Sequence, residues 1–221
     1  MHTYIKPLAA EFGKHADAAI AKGAKAYMKD QFEYHGLMTP LRRSISKAYM
    51  KKSLPAYKDL PVIVKELWNL PQREYQYVGT ELIAAFRKEW TKDIIMLAEY
   101  MITHKSWWDT VDHIATDITG PYFKLFPAQI KPVTGKWNKS DNIWLQRSSI
   151  MFQKAYRTET DTDLLAAYIL RCKDSKEFFV LKAIGWALRE YSKHNPKWVK
   201  QFVKANKLAP LSEREALKRI S

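Results

Sequence analysis

Tyr77, Asp112, Arg147 and Lys182 follow one another at intervals of 35 residues. The surrounding text repeats in three of the four units. IAAFRKEW after Tyr77, MFQKAYR after Arg147 and GWALREYSK after Lys182 place an aromatic at Phe86, Tyr156 and Tyr191 in one register. The unit containing Asp112 departs, with Pro121 at that register. With all-helical units, a period of this length suggests helix pairs stacked on their neighbours to bury a shared core. The rest of the chain agrees. Gly is scarce, at 7, strict apolar/polar alternation is rare, and helix-period patterns dominate. The patterns predict helices near 3–13, 15–30, 40–53, 60–70, 72–90, 92–104, 107–119, 121–130, 140–157, 161–172, 175–193, 195–206 and 211–220. Prolines punctuate the breaks, and Asp and Ser supply N-caps, as in KSDN before Ile143 and DTD before Leu164. The widest irregular stretch is expected around 130–141, and no linker divides the chain. The expected fold class is all-α, a solenoid of helix pairs forming one domain over 1–221, with an irregular helical bundle as the alternative. In a solenoid, equivalent positions of successive second helices line one concave surface. Asp112, Arg147 and Lys182 should then be neighbours along a groove.

Charge narrows the partners. Lys and Arg number 37 against 23 Asp and Glu, a formal net charge of +14. Such a balance favours polyanions: nucleic acid, an anionic membrane or an acidic partner protein. The plainer reading is solubility. Cys172 is the only cysteine, which excludes an internal disulfide and any metal site built from several thiolates. A cytoplasmic protein is the default expectation. The opening MHTYIKPLAAEFGKHADA is interrupted by charges, unlike a signal peptide, and no apolar run approaches the ~20 residues of a membrane span. The six histidines lack metal-ligand spacing, and there is no Gly-rich phosphate loop or nucleophile elbow. No metal or cofactor is expected.

Trp186 stands on the unexpected side of its helix. In EFFVLKAIGWALREYSKH, Leu181, Ile184, Leu188 and Tyr191 form the apolar stripe, while Lys182, Trp186, Arg189 and Lys193 gather opposite. An indole within a Lys/Arg face is placed to meet something flat and electron-poor, or something anionic with flat parts. A second helix, SWWDTVDHIATDIT, puts Trp107, Val111, Ile114 and Ile118 on its core stripe. Trp108 and Asp112, at i and i+4, share another face. The alternative is a core-edge indole beside a solvated acid. Arg147 and Lys154 lie seven residues apart on one side of DNIWLQRSSIMFQKAYR, as phosphate ligands or as solvated surface cations. Near the N-terminus, Thr39 is a plausible N-cap with Pro40 at N1. The helix amides with Arg42, Arg43 and Lys47 could receive a phosphate. Tyr27 ends the preceding helix, as a core or a site residue.

Together, YMKDQFEYHGLMTPLRR, SWWDTVD, WLQRSS and FFVLKAIGWALREYSKHNP resemble the AlkD-type DNA alkylation-repair glycosylases, over most of the chain. The resemblance implies a single HEAT-like helical-repeat domain with a basic concave DNA groove. It places the family's active-site tryptophans on Trp108 and Trp186, its essential carboxylate on Asp112, its groove arginine on Arg147 and its lesion-site tyrosine on Tyr27. Phosphate contacts at Lys154, Lys182, Arg189, Arg43 and Thr39 rest more on helix faces than on motif. The implied activity is monofunctional hydrolysis of the N-glycosidic bond of N3- and N7-alkylated purines, of the 3-methyladenine and 7-methylguanine type, in duplex DNA. The implied protein acts as a monomer, away from membranes, and is nucleoid-associated when bound. Alkylation at those nitrogens leaves the base cationic and its bond weak, so no strong general acid is required. As the bond cleaves, positive charge moves to the deoxyribose, where Asp112 can stabilise it and hold water. The indole faces can contact the cationic nucleotide. Two other readings stay open: a non-catalytic solenoid that binds distorted or branched DNA, and a helical-repeat adaptor for an acidic protein.

Overall fold

A computed structural model describes residues 1–220, which are all-helical apart from one isolated bridge between Glu33 and Gln72. Among them no helix is long and apolar enough to cross a membrane. The chain forms two compact units, Met1–Thr91 and a second from Lys92 onward.

The first unit contains α1 (Ile5–Lys14), α2 (Ala18–Tyr27), α3 (Thr39–Lys52), α4 (Leu60–Asn69) and α5 (Arg73–Ala85). Helices α4 and α5 pack together, burying Ile63, Val64, Leu67 and Trp68 of one with Val78, Leu82 and Ile83 of the other. Gln76 closes the pair: its amide N–H donates to the carbonyls of Leu67, Trp68 and Leu70 at 2.8–3.1 Å, satisfying acceptors that the end of α4 leaves open. The segment joining α2 to α3 is held from α5. The Glu74 carboxylate accepts from the backbone N–H groups of His35, Gly36 and Leu37 at 3.1, 2.9 and 3.2 Å. Gly36 has φ 86°, and a Cβ there would meet the Asp17 carbonyl oxygen at 2.0 Å, so only glycine fits. Helix α3 opens on Thr39 itself with Met38 in the N-cap place. The expected cap is thus displaced by one residue, and Pro40 still falls in the first turn, where it is tolerated.

The second unit runs through α6 (Ile94–Thr103), α7 (Trp108–His113), a π-helical turn (Ile114–Thr119), α8 (Gly120–Leu125), α9 (Ile130–Asn138), α10 (Ile143–Met151), α11 (Thr162–Cys172), α12 (Phe178–Tyr191), α13 (Pro196–Asn206) and α14 (Pro210–Leu217). Of the two caps read from the sequence, the aspartate before Leu164 forms as expected, and in KSDN the cap is the asparagine instead of Asp or Ser. Asn142 Oδ1 accepts from the N–H groups of Trp144 and Leu145, and Asp161 Oδ1 from that of Leu164. Successive packing runs from α7 and the π turn to α10, from α10 to α12 and from α12 to α14, with α9, α11 and α13 as the companions of the last three. This is the stacked-pair arrangement that the 35-residue period suggests.

Several helix boundaries differ from expectation, two of them at prolines. The stretch expected to be irregular at 130–141 is mostly the helix α9. Pro132 falls in its first turn, where a missing N–H costs nothing. Helix 107–119 does not stop before Pro121 but continues through the π turn into α8. Pro121 has no N–H for the preceding turn and its ring crowds the carbonyl four residues back. Widening the helix locally relieves both.

Candidate active site

Helix α10 lies at the centre of the second unit, packed on α6, α9, α11, α12 and the π turn. That position decides the state of Arg147. Its side chain is 1% exposed, and each end of the guanidinium is engaged. Nε donates to Asp112 Oδ1 at 2.6 Å and Nη2 to Oδ2 at 2.8 Å. Nη1 donates to the Phe179 carbonyl at 2.5 Å. The expectation of a groove-surface cation open to phosphate therefore changes: Arg147 is a buried clamp on Asp112. Planar two-point pairing fixes the carboxylate in angle as well as distance. The Asp112 side chain is 15% exposed, so it is not sealed from solvent as Arg147 is.

The clamp is built on aromatic packing. Trp107, which precedes α7, Trp144 in the first turn of α10 and Phe179 in the first turn of α12 form a cluster with ring centroids 4.9–5.8 Å apart. The cluster draws together the starts of the three helices that carry Asp112, Arg147 and the Phe179 carbonyl. Val111, Ile114 and Ile118 are buried as expected, while Trp107 is half-buried. Trp108 begins α7 and is also half-buried, one turn before Asp112 on the same helix.

Trp186 is half-buried. Among the described residues four cations surround its ring: Arg147 at 5.4 Å, Lys182 at 5.5 Å, and Lys154 and Arg189 at 5.7 Å from the centroid. Three of the four residues that the 35-residue spacing singles out, Asp112, Arg147 and Lys182, thus meet here. Asp112 binds Arg147, and Arg147 and Lys182 share one indole. Lys154 arrives by a different route from that expected. Helix α10 ends at Met151, and Lys154 sits in the turn beyond it.

Glu215 is part of this constellation and carries no signal in the sequence reading. It lies on α14, with its side chain 12% exposed. Oε1 accepts from Lys182 Nζ at 2.8 Å, and Oε2 accepts from Arg189 Nη1 at 2.6 Å and from the Trp186 indole N–H at 3.2 Å. Hydrogen bonding from Lys182 lowers its pKa below the usual carboxylate range, against the opposing effect of burial, and the charges of Lys182 and Arg189 assist. Lys182 and Arg189, expected to be free for phosphate, are therefore already tied to a carboxylate, although each side chain keeps part of its surface in solvent. Lys193 pairs with Glu190 instead.

Gly185 makes the approach of α14 possible. A Cβ there would lie 2.5 Å from Glu215 Cβ and 2.9 Å from the Ser212 carbonyl oxygen. Gly185→Ala should destabilise the protein by about 1–3 kcal/mol through overpacking. Thermal unfolding would read this as a lower Tm, and an unchanged Tm would show that α14 can slide.

The remaining candidates belong to the first unit. Tyr27, at the end of α2, is 70% exposed, which removes the core reading. Arg43 is exposed and 3.8 Å from Glu81 Oε1. Arg42 is buried and pairs with both Glu81 oxygens at 2.9 Å, so it is not available for the phosphate contact expected of it.

The sequence profile of the DNA alkylation repair enzyme family matches residues 8–220. Among solved structures, the chain is similar to a predicted DNA alkylation repair enzyme from Enterococcus faecalis, at 30% identity and a TM-score of 0.87 over 93% of this chain and 97% of that one. It shares its fold with AlkD2 from Streptococcus mutans, at 17% identity and a TM-score of 0.64, covering 84% of this chain and 91% of that one. It also shares it with smu.31 from Streptococcus mutans UA159, at 16% identity and a TM-score of 0.62, covering 95% and 100%. No curated protein matches it. With nearly its whole length accounted for, the chain belongs to the DNA alkylation repair enzyme family.

Proposed function

We propose that the chain is a DNA glycosylase that hydrolyses the N-glycosidic bond of N3- and N7-alkylated purines in duplex DNA. One observation carries this reading most: the carboxylate of Asp112, a partly exposed side chain, is held at two points by a buried arginine that itself lies against Trp186. A carboxylate fixed in this way is preorganised to face a developing oxocarbenium ion without reorganising. Each Asp112 oxygen accepts one N–H from Arg147 and keeps a lone pair for a water molecule. Trp108 and Trp186 supply indole surface for the cationic nucleotide. Lys154, Lys182 and Arg189 supply the field that draws phosphate, and Tyr27, Thr39 and Arg43 are further DNA contacts. The protein works as a monomer in the cytoplasm on alkylated duplex, without a metal or cofactor.

The paired state of Asp112 also favours a second reading, a solenoid that binds distorted DNA and leaves the base in place, because the free protein already satisfies that carboxylate with a cation. Single-turnover assays with excess protein on a duplex carrying one N7-methylguanine decide between them. Release of the base is the expected result. Tight binding without release would sink the glycosylase reading. Trp186→Ala should slow release by about 2- to 30-fold, the worth of one cation–π contact.

A further inference from the structure

We propose that Glu215 is a positioning residue of this site: from α14 it orients the indole of Trp186 and fixes Lys182 and Arg189 on either side of it. The inference rests on the glycosylase reading and adds a second carboxylate to the site. Lys182 and Arg189 stand one turn before and about one turn after Trp186 on α12, and one side chain from another helix contacts all three. Its placement is rigid. The missing side chain at Gly185 lets α14 press against the middle of α12, and Ser212 Oγ fastens α14 there by donating to the Leu181 carbonyl at 2.8 Å.

The local charges explain why a carboxylate is needed. Without Glu215, Lys182, Arg189, Arg147 and Lys154 surround one indole, with Asp112 already committed to Arg147. Like charges this close repel and would spread toward solvent. Glu215 ties down two of them and leaves each with unused N–H groups for phosphate. Accepting the indole N–H also turns the pyrrole edge of Trp186 toward α14, which sets the rotation at which the ring meets a nucleotide.

Glu215→Gln tests this, because it keeps the shape and removes the charge. Excision under saturating enzyme should slow by about tenfold, because the single amide oxygen cannot serve Lys182, Arg189 and the indole together, and Trp186 loses its fixed rotation. Undamaged duplex should bind more tightly, with a log K against log salt slope steeper by about 0.9, the signature of one more net positive charge facing phosphate. Loss of packing alone would weaken binding and rate together. In a Trp186→Phe background, which has no indole N–H, Glu215→Gln should have no further effect on rate but should still steepen the salt slope. A wild-type rate in Glu215→Gln, an equal slowing with Trp186→Phe, or an unchanged slope would each overturn the proposal. Glu215→Asp keeps the charge and shortens the reach. Should Glu215→Gln not fold, Glu215→Asp must show slowed excision with the wild-type slope, and a wild-type rate there would overturn the proposal equally. A wild-type protein that releases no base would end the glycosylase reading. The salt slope, and the fluorescence that Trp186 contributes with Glu215 intact or replaced, would still decide the role of Glu215.

Discussion

Asp112→Asn should slow release of N7-methylguanine from duplex DNA by about two to three decades, the usual cost of removing one preorganised electrostatic group, while undamaged duplex is still bound. A unit charge pair at about 4 Å is worth about 4 kcal/mol at an effective dielectric of 20, or roughly three decades of rate. Two features of the structure sharpen this expectation. Asp112 is held at both oxygens by Arg147, so the wild-type carboxylate is already at its working angle. An asparagine also presents one N–H₂ to a guanidinium that only donates, so one of the two bonds becomes a donor facing a donor. The substitution therefore removes the charge and loosens the group that replaces it. Binding should tighten slightly, since a negative charge leaves a cluster that faces phosphate. Single-turnover kinetics with excess enzyme separate chemistry from binding, and a melting curve of each variant shows that the comparison is between folded proteins. Excision at the wild-type rate would end the catalytic assignment of Asp112.

The contacts predicted correctly from the sequence are those that a repeat controls. A helix pair that recurs every 35 residues carries a given register to the next layer, which is why Asp112 and Arg147 bond directly and why Lys182 shares the Trp186 ring with Arg147. The off-core position of Trp186 was equally legible, since helical phase gives the side on which a residue lies. Phase does not give depth. Arg147 reads as a surface cation on a helical wheel, yet α10 is packed on so many sides that the guanidinium is buried. Glu215 escaped for a different reason. The period continued from Lys182 falls on Leu217, and Glu215 lies two residues short of it. Its arrival depends on Gly185, whose effect is to let a neighbouring helix closer. Local text also misled where a proline has two meanings. Pro132 starts a helix rather than breaking one, and Pro121 widens a helix instead of ending it.

Arg147→Ala should both destabilise the fold and disable the site. The substitution opens a cavity in the centre of the second unit and leaves Asp112 without its counter-ion. Breaking one side of a buried pair costs about 3–5 kcal/mol, and the partial exposure of Asp112 places the loss toward the lower figure, because water can reach the stranded carboxylate. Excision should fall by about two decades in the protein that remains folded, since a carboxylate free to swing by an ångström is misplaced for the oxocarbenium ion. If Arg147 acts as a clamp, the slope of log K against log salt in the double variant Asp112→Asn with Arg147→Ala, whose net charge equals that of wild type, should stay as in wild type. A direct phosphate contact would instead make it shallower by roughly 0.9 on substitution. The double variant Asp112→Asn with Arg147→Ala should lose less stability than the two single changes added together, because the second substitution removes a group that the first has already stranded. Additive losses in urea unfolding, or a shallower salt slope, would return Arg147 to the role of a phosphate ligand and leave the angle of Asp112 to be set by α7 alone.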